Sequence, residues 1–139
     1  MISQEELYER SLNLPKSFID AIYAYKKTLS AASNKVRALE YLLKENGFFF
    51  TFDMIIDAEE DGNSTHLSWE HCEGGKKNWR VCVIERDHVD EIKAKTTFLE
   101  QRIDARLRLS RFIDQFLVEF EKFIVKETED ANKKILGEL

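Results

Sequence analysis

The sequence predicts an α+β domain: a long N-terminal helix, a three-stranded antiparallel β-meander and a long C-terminal helix. Three observations carry that prediction. Phe18, Ile22, Tyr25, Leu29, Ala32, Val36, Leu39 and Leu43 recur alternately four and three residues apart, which is an unbroken heptad seam. From Phe48 to Arg86 the apolar period drops to two, as in half-buried strands. After Asp87 the spacing returns to three- and four-residue steps. At 139 residues the chain is long enough for one domain with its own core. It divides into residues 1–46 as helical, 47–86 as sheet and 87–139 as helical.

A short first helix opens at Ser3-Gln4-Glu5-Glu6, with Ser3 as N-cap and Glu6 at the capping-box position. Pro15 suits the first turn of the next helix, and Asn46-Gly47 closes it with a left-handed cap. About thirty residues at the α-helical rise make roughly 45 Å. That exceeds what a small core needs, so part of the seam is expected to meet a second long helix or another subunit.

In the sheet region, Phe48, Phe50, Phe52, Met54 and Ile56 alternate with Phe49, Thr51, Asp53, Ile55 and Asp57. Asp61-Gly62 and Gly74-Gly75 mark the turns. Requiring the apolar sets to share a face aligns Phe52–His71–Trp79, Met54–Trp69–Val81 and Ile56–Leu67–Val83. The other face then carries the row Asp53–Glu70–Arg80. In this register Cys72 falls near Asn78, too far from Cys82 for a disulfide within one chain.

Beyond Asp87, which is read as a helix cap, Val89, Ile92, Thr96, Leu99 and Ile103 continue at helical steps. A wider stripe follows at Leu109, Phe112, Ile113, Phe116, Leu117, Phe120, Phe123 and Ile124. Between the two, residues 102–109 alternate charged and apolar as a fourth strand would, although the residues themselves are good helix formers. One long helix whose stripe rotates there is the favoured reading, with a break or a fourth strand as the alternative.

Composition narrows the function classes. Residues 47–75 hold seven acidic residues and no Lys or Arg, and residues 76–111 hold ten cations against six anions. Neighbouring elements of opposite charge neutralise one another in the simplest reading. With a net charge of −5 and aromatics on the face that should cover helices, nucleic-acid binding is disfavoured. No run of about eighteen apolar residues marks a membrane span, and no signal-peptide pattern opens the chain. Two cysteines without a secretory signal point to a reducing, cytoplasmic setting. Walker, GxGxxG, CxxC and HExxH patterns are absent, so neither a metal nor a cofactor is expected.

Two groups of residues remain as site candidates. Arg102 and Arg106 share the core-facing side of a helix, where arginines are costly unless paired. Together with Arg80, Asp53 and Glu70 on the sheet they would make a site for an anionic small molecule or nucleotide. Phe18, Ile22, Tyr25, Leu29 and Val36 would form an oligomer interface along the seam. The favoured function is a non-catalytic protein-interaction module (an adaptor, regulator or inhibitor) acting as a homo-oligomer, with a dimer preferred and another protein as partner. An anionic-ligand or nucleotide binder, as a receptor or an enzyme, is the alternative, and a nucleic-acid-binding protein the second alternative.

Overall fold

The computed structural model describes residues 2–10, 14–72 and 78–137, and its class is the expected α+β. The N-terminal part contains α1 (Gln4–Arg10) and α2 (Lys16–Glu45). The Ser3 hydroxyl accepts the Glu6 N–H at 3.2 Å, the cap that the sequence signalled. Gln4 and Tyr8 both donate to the Asp20 carboxylate, tying α1 to the first turns of α2. Helix α2 ends at Asn46, whose side chain donates back to the Leu42 carbonyl.

Four strands follow, not three: β1 (Phe52–Ala58), β2 (Ser64–His71), β3 (Trp79–Arg86) and β4 (Ile92–Thr97). They form one antiparallel meander in sequence order. Residues 87–100 therefore do not open the C-terminal helix. Asp87 does cap, but it caps a turn. Its carboxylate accepts the N–H groups of Val89 and Glu91 at 3.0 Å each, while its own N–H donates to the Glu91 carbonyl at 2.9 Å. Asp90 completes the turn at φ 65°. Of the steps read as helical, Ile92 and Thr96 belong to an edge strand, whose Lys93 and Lys95 discourage pairing with another chain, and Leu99 to the short turn after it.

The β2–β3 register is as expected, with His71 opposite Trp79, Trp69 opposite Val81 and Leu67 opposite Val83. The β1–β2 register is shifted by two residues, so Phe52 faces Trp69 and Met54 faces Leu67. A two-residue shift keeps every side chain on its own face, so matching faces cannot detect it. What decides it is the connection. An irregularity at Ile56 and a Glu59–Asn63 backbone bond of 2.7 Å close the turn early.

A short 3₁₀ turn at Phe98–Glu100 leads into α3 (Ile103–Ser110) and α4 (Ile113–Leu136). Residues 102–109 are thus neither a fourth strand nor part of one continuous helix. The chain breaks at Arg111-Phe112, where the Phe112 N–H turns back to Leu109 and the Ser110 hydroxyl to Leu107. The core lies between one face of the sheet and the helices. Leu67, Trp69, Val81 and Val83 pack there against Ala32, Val36 and Leu43 of α2, Phe98, and Ile113, Phe116 and Phe120 of α4. Phe52 sits among Phe116, Phe120 and Phe123, with ring centroids 4.8–5.5 Å apart. The buried Trp69 indole donates to the Phe48 carbonyl at 3.1 Å, so its polar atom is satisfied.

One more expectation falls. The sulfurs of Cys72 and Cys82 lie 3.0 Å apart. Cys72 does lie beside Asn78, whose carbonyl accepts its N–H at 2.7 Å just past the last residue of β2. Its sulfur turns back over the outer face of the sheet to reach Cys82.

Candidate interaction surfaces

The heptad seam of α2 is used over half its length. From Ala32 onward it is core: Val36 is only 2% exposed, and Leu43 is buried beside the sheet. Val36 therefore has no surface to offer an oligomer interface. Before Ala32 the same stripe is open. Phe18 is 54% exposed and Ile22 37%, while Tyr25 and Leu29 are half-buried. The reason is the length of the facing element. Helix α3 packs on α2 where the two overlap, and α4 begins only at Ile113, so nothing as long as the 30-residue α2 runs beside it.

A second apolar surface lies further along the same helix. Leu39 and Leu42 of α2 and Leu117, Val118, Ile124 and Val125 of α4 line a groove of about 390 Å³. Beyond Ile124 every described residue of α4 is exposed, including Ile135 and Leu136. Helix α4 thus carries its apolar positions past the end of the core.

The five polar candidates do not converge. Asp53 faces Ser68 across the strands, two residues from its expected partner Glu70, and its carboxylate meets His66 Nδ1 at 2.7 Å. His66 is buried on the outer face, with its other nitrogen 2.8 Å from the Ser64 hydroxyl. Glu70 does lie opposite Arg80, yet it pairs with Lys95 of β4 at 2.9 Å. Arg80 instead reaches Glu40 of α2, also at 2.9 Å. Arg102 precedes α3 with its side chain 88% exposed beside Asp104. Arg106 crosses to the Ser33 hydroxyl at 3.3 Å, while its Nε is buried with no hydrogen-bond partner among the described residues. The row Asp53–Glu70–Arg80 does not form, and each of the five holds a different partner.

Two features carry weight here that the sequence reading did not single out. Glu40 sits among apolar seam positions, yet it is buried and accepts both the Arg80 Nε–H at 2.9 Å and the Val81 N–H at 2.8 Å. An acid one residue after the seam position Leu39 was the available signal. The other is a polar cleft of about 770 Å³ beside β4, lined by His71, Cys72, Lys95, Thr96, Thr97 and Glu100. Its parts come from elements separated by more than twenty residues, and locating it required β4.

Of the aromatic residues that would stack bases, Phe50 is exposed but others are committed elsewhere. Trp69 is fully buried and Phe52 lies under α4, so the inner sheet face is not an open platform. No helix among the described residues is long and apolar enough to cross a membrane. Comparison with protein-family models, characterised proteins and solved structures finds no match to this chain.

Proposed function

We propose that the protein is a non-catalytic interaction module, an adaptor, regulator or inhibitor, that works as a homodimer through α2 and α4. The observation that carries this reading is the half-used seam. One continuous stripe is core from Ala32 to Leu43 and bare at Phe18 and Ile22. A stripe of this kind gains roughly 25 cal/mol for each Å² of apolar surface it hides, so leaving it in water forfeits stabilisation. A second copy of the chain is a fitting occupant by charge as well. The first half of α2 carries Lys16, Lys26 and Lys27 against Asp20. On α4, the six acids Asp114, Glu119, Glu121, Glu127, Glu129 and Asp130 outnumber the four lysines, Lys122, Lys126, Lys133 and Lys134. In a two-fold dimer the basic half of one α2 meets the acidic α4 of the other twice over.

Sedimentation equilibrium on the full chain tests this. The expected result is a dimer mass for the natural sequence and a monomer mass for the double variant Phe18→Glu, Ile22→Glu, with the same circular dichroism spectrum in both. A natural sequence that stays monomeric at every accessible concentration overturns the reading.

A further inference from the structure

We propose that Cys72 and Cys82 are a thiol-oxidation site: in the folded protein a small disulfide oxidant closes them into an intrachain disulfide through the cleft beside β4. Their sulfurs are 3.0 Å apart, against about 2.05 Å in a formed bond, so closure asks for a shift of about one ångström. The two thiols are differently placed. Cys82 is fully buried on central strand β3, between Ser68 of β2 and Thr97 of β4. The Ser68 and Thr97 hydroxyls make no hydrogen bond among the described residues. Cys72 is half-exposed and forms part of the wall of the 770 Å³ cleft.

A lid separates the inner thiol from solvent. Lys95 faces Ile84 across β3–β4, and Glu70 faces Arg80 across β2–β3. Their 2.9 Å ion pair therefore runs diagonally over β3 at the level of Cys82. An oxidant in the cleft meets Cys72 first, beside the Lys95 ammonium. Burial, and then the hydrogen bond with Cys72, push the Cys82 thiol well above its ordinary range, so it does not react alone.

The chemistry is two successive thiol–disulfide exchanges. The Cys72 thiolate attacks one sulfur of oxidised glutathione, forming a mixed disulfide and expelling one glutathione thiolate. Cys82 then gives up its proton, with the Ser68 and Thr97 hydroxyls beside the developing anion, and attacks the Cys72 sulfur. The Cys72–Cys82 bond forms and the second glutathione leaves. Two protein thiols lose two electrons in all, and one glutathione disulfide becomes two thiols that take up the two protons.

The test exposes the full native chain to oxidised glutathione, quenches with acid, alkylates under denaturing conditions, and reads intact mass and peptide map. The expected product is two hydrogens lighter, takes no alkyl label and contains a linked Cys72–Cys82 peptide. Cys82→Ser is expected to stop at one glutathione on Cys72. Cys72→Ser is expected to leave Cys82 reduced, and as a substitution at a half-exposed position past the end of β2 it does not threaten folding. A natural chain that stops at a glutathione adduct on Cys72, keeps both thiols alkylatable, or links into disulfide-bonded dimers overturns the proposal.

Discussion

One carboxylate oxygen of Glu40 accepts both the Val81 backbone N–H and the Arg80 side chain, and so finishes the edge of the sheet from a helix. Strand β4 pairs with β3 only as far as Cys82 opposite Thr97. The next N–H along β3, that of Val81, would be buried without a partner. Glu40 supplies what a longer β4 would have supplied, and Arg80 balances its charge.

The first prediction concerns that clamp. Glu40→Ala removes the acceptor while Val81 stays fully buried, and an orphaned buried donor costs about 1–3 kcal/mol. Loss of the partner of Arg80 places the variant toward the upper end of that range. Glu40→Gln keeps an acceptor oxygen and should lose clearly less. Urea unfolding of the three proteins reads the order directly. Equal stabilities for Glu40→Ala and the natural chain would remove the clamp from the account.

A second prediction follows from the contact between two turns. Gly62, at φ 91°, lies so close to His88 that a Cβ on it would stand 2.8 Å from the His88 Cβ. Gly62→Ala should therefore destabilise by about 1–3 kcal/mol, from backbone strain and collision together. His88→Gly in the same chain removes the closest contact, leaving the strain and a 3.1 Å approach to the residue 88 Cα. The double variant should recover part of the loss, a coupling of at least about 0.5 kcal/mol in a double-mutant cycle. Strictly additive effects would mean that the two turns do not touch in solution.

The third prediction is a pH dependence. The backbone N–H of Glu91 is the largest influence holding the Asp87 carboxyl below the usual carboxylate range; desolvation opposes it, and the Val89 N–H adds a smaller lowering. A carboxyl depressed in the folded state contributes stability that is present above its unfolded pKa and disappears as pH falls through the folded one. The β3–β4 turn should thus loosen on acidification below the usual carboxylate range. Asp87→Asn should flatten that part of the profile while leaving stability near neutrality only slightly reduced. Amide exchange of Val89 and Glu91 as a function of pH would report it locally.

Much of this framework is legible in the sequence, and the parts that are not have identifiable causes. The α2 seam, the Ser3 cap, the Asn46 stop and the β2–β3 register follow from period and turn chemistry alone. Strand β4 does not, because the turn before it contains neither Gly nor Pro. Asp87 and Asp90 build it instead, and an Asp before an apolar residue reads equally well as a helix cap. The β1 register escapes because a shift of two preserves every face. The polar candidates fail for a related reason. Asp53, Glu70 and Arg80 were grouped by that register, whereas Asp53 pairs with His66 on the neighbouring strand, Glu70 with Lys95 of β4 and Arg80 with Glu40 of α2. Arg106 is the anomaly it looked like: it reaches Ser33 of α2, while its Nε is buried with no hydrogen-bond partner among the described residues.

The last prediction separates the two halves of the apolar surface. Phe120 is 1% exposed, and its ring contacts those of Phe48, Phe52, Phe116 and Phe123. Phe120→Ala should cost about 3–5 kcal/mol, since the closely packed rings around it cannot collapse into the space it leaves. Phe18→Ala removes a side chain of the same size from the open half of the seam. If Phe18 serves the single chain, it too should lower stability measurably. If it serves a partner surface, the monomer should change by no more than about 0.5 kcal/mol. Its effect should then appear as a melting temperature that no longer rises with protein concentration. Thermal unfolding of both variants over a concentration series distinguishes the two. A concentration-independent loss of several kcal/mol at Phe18 would place that residue in the monomer core and remove the basis for a dimer along α2.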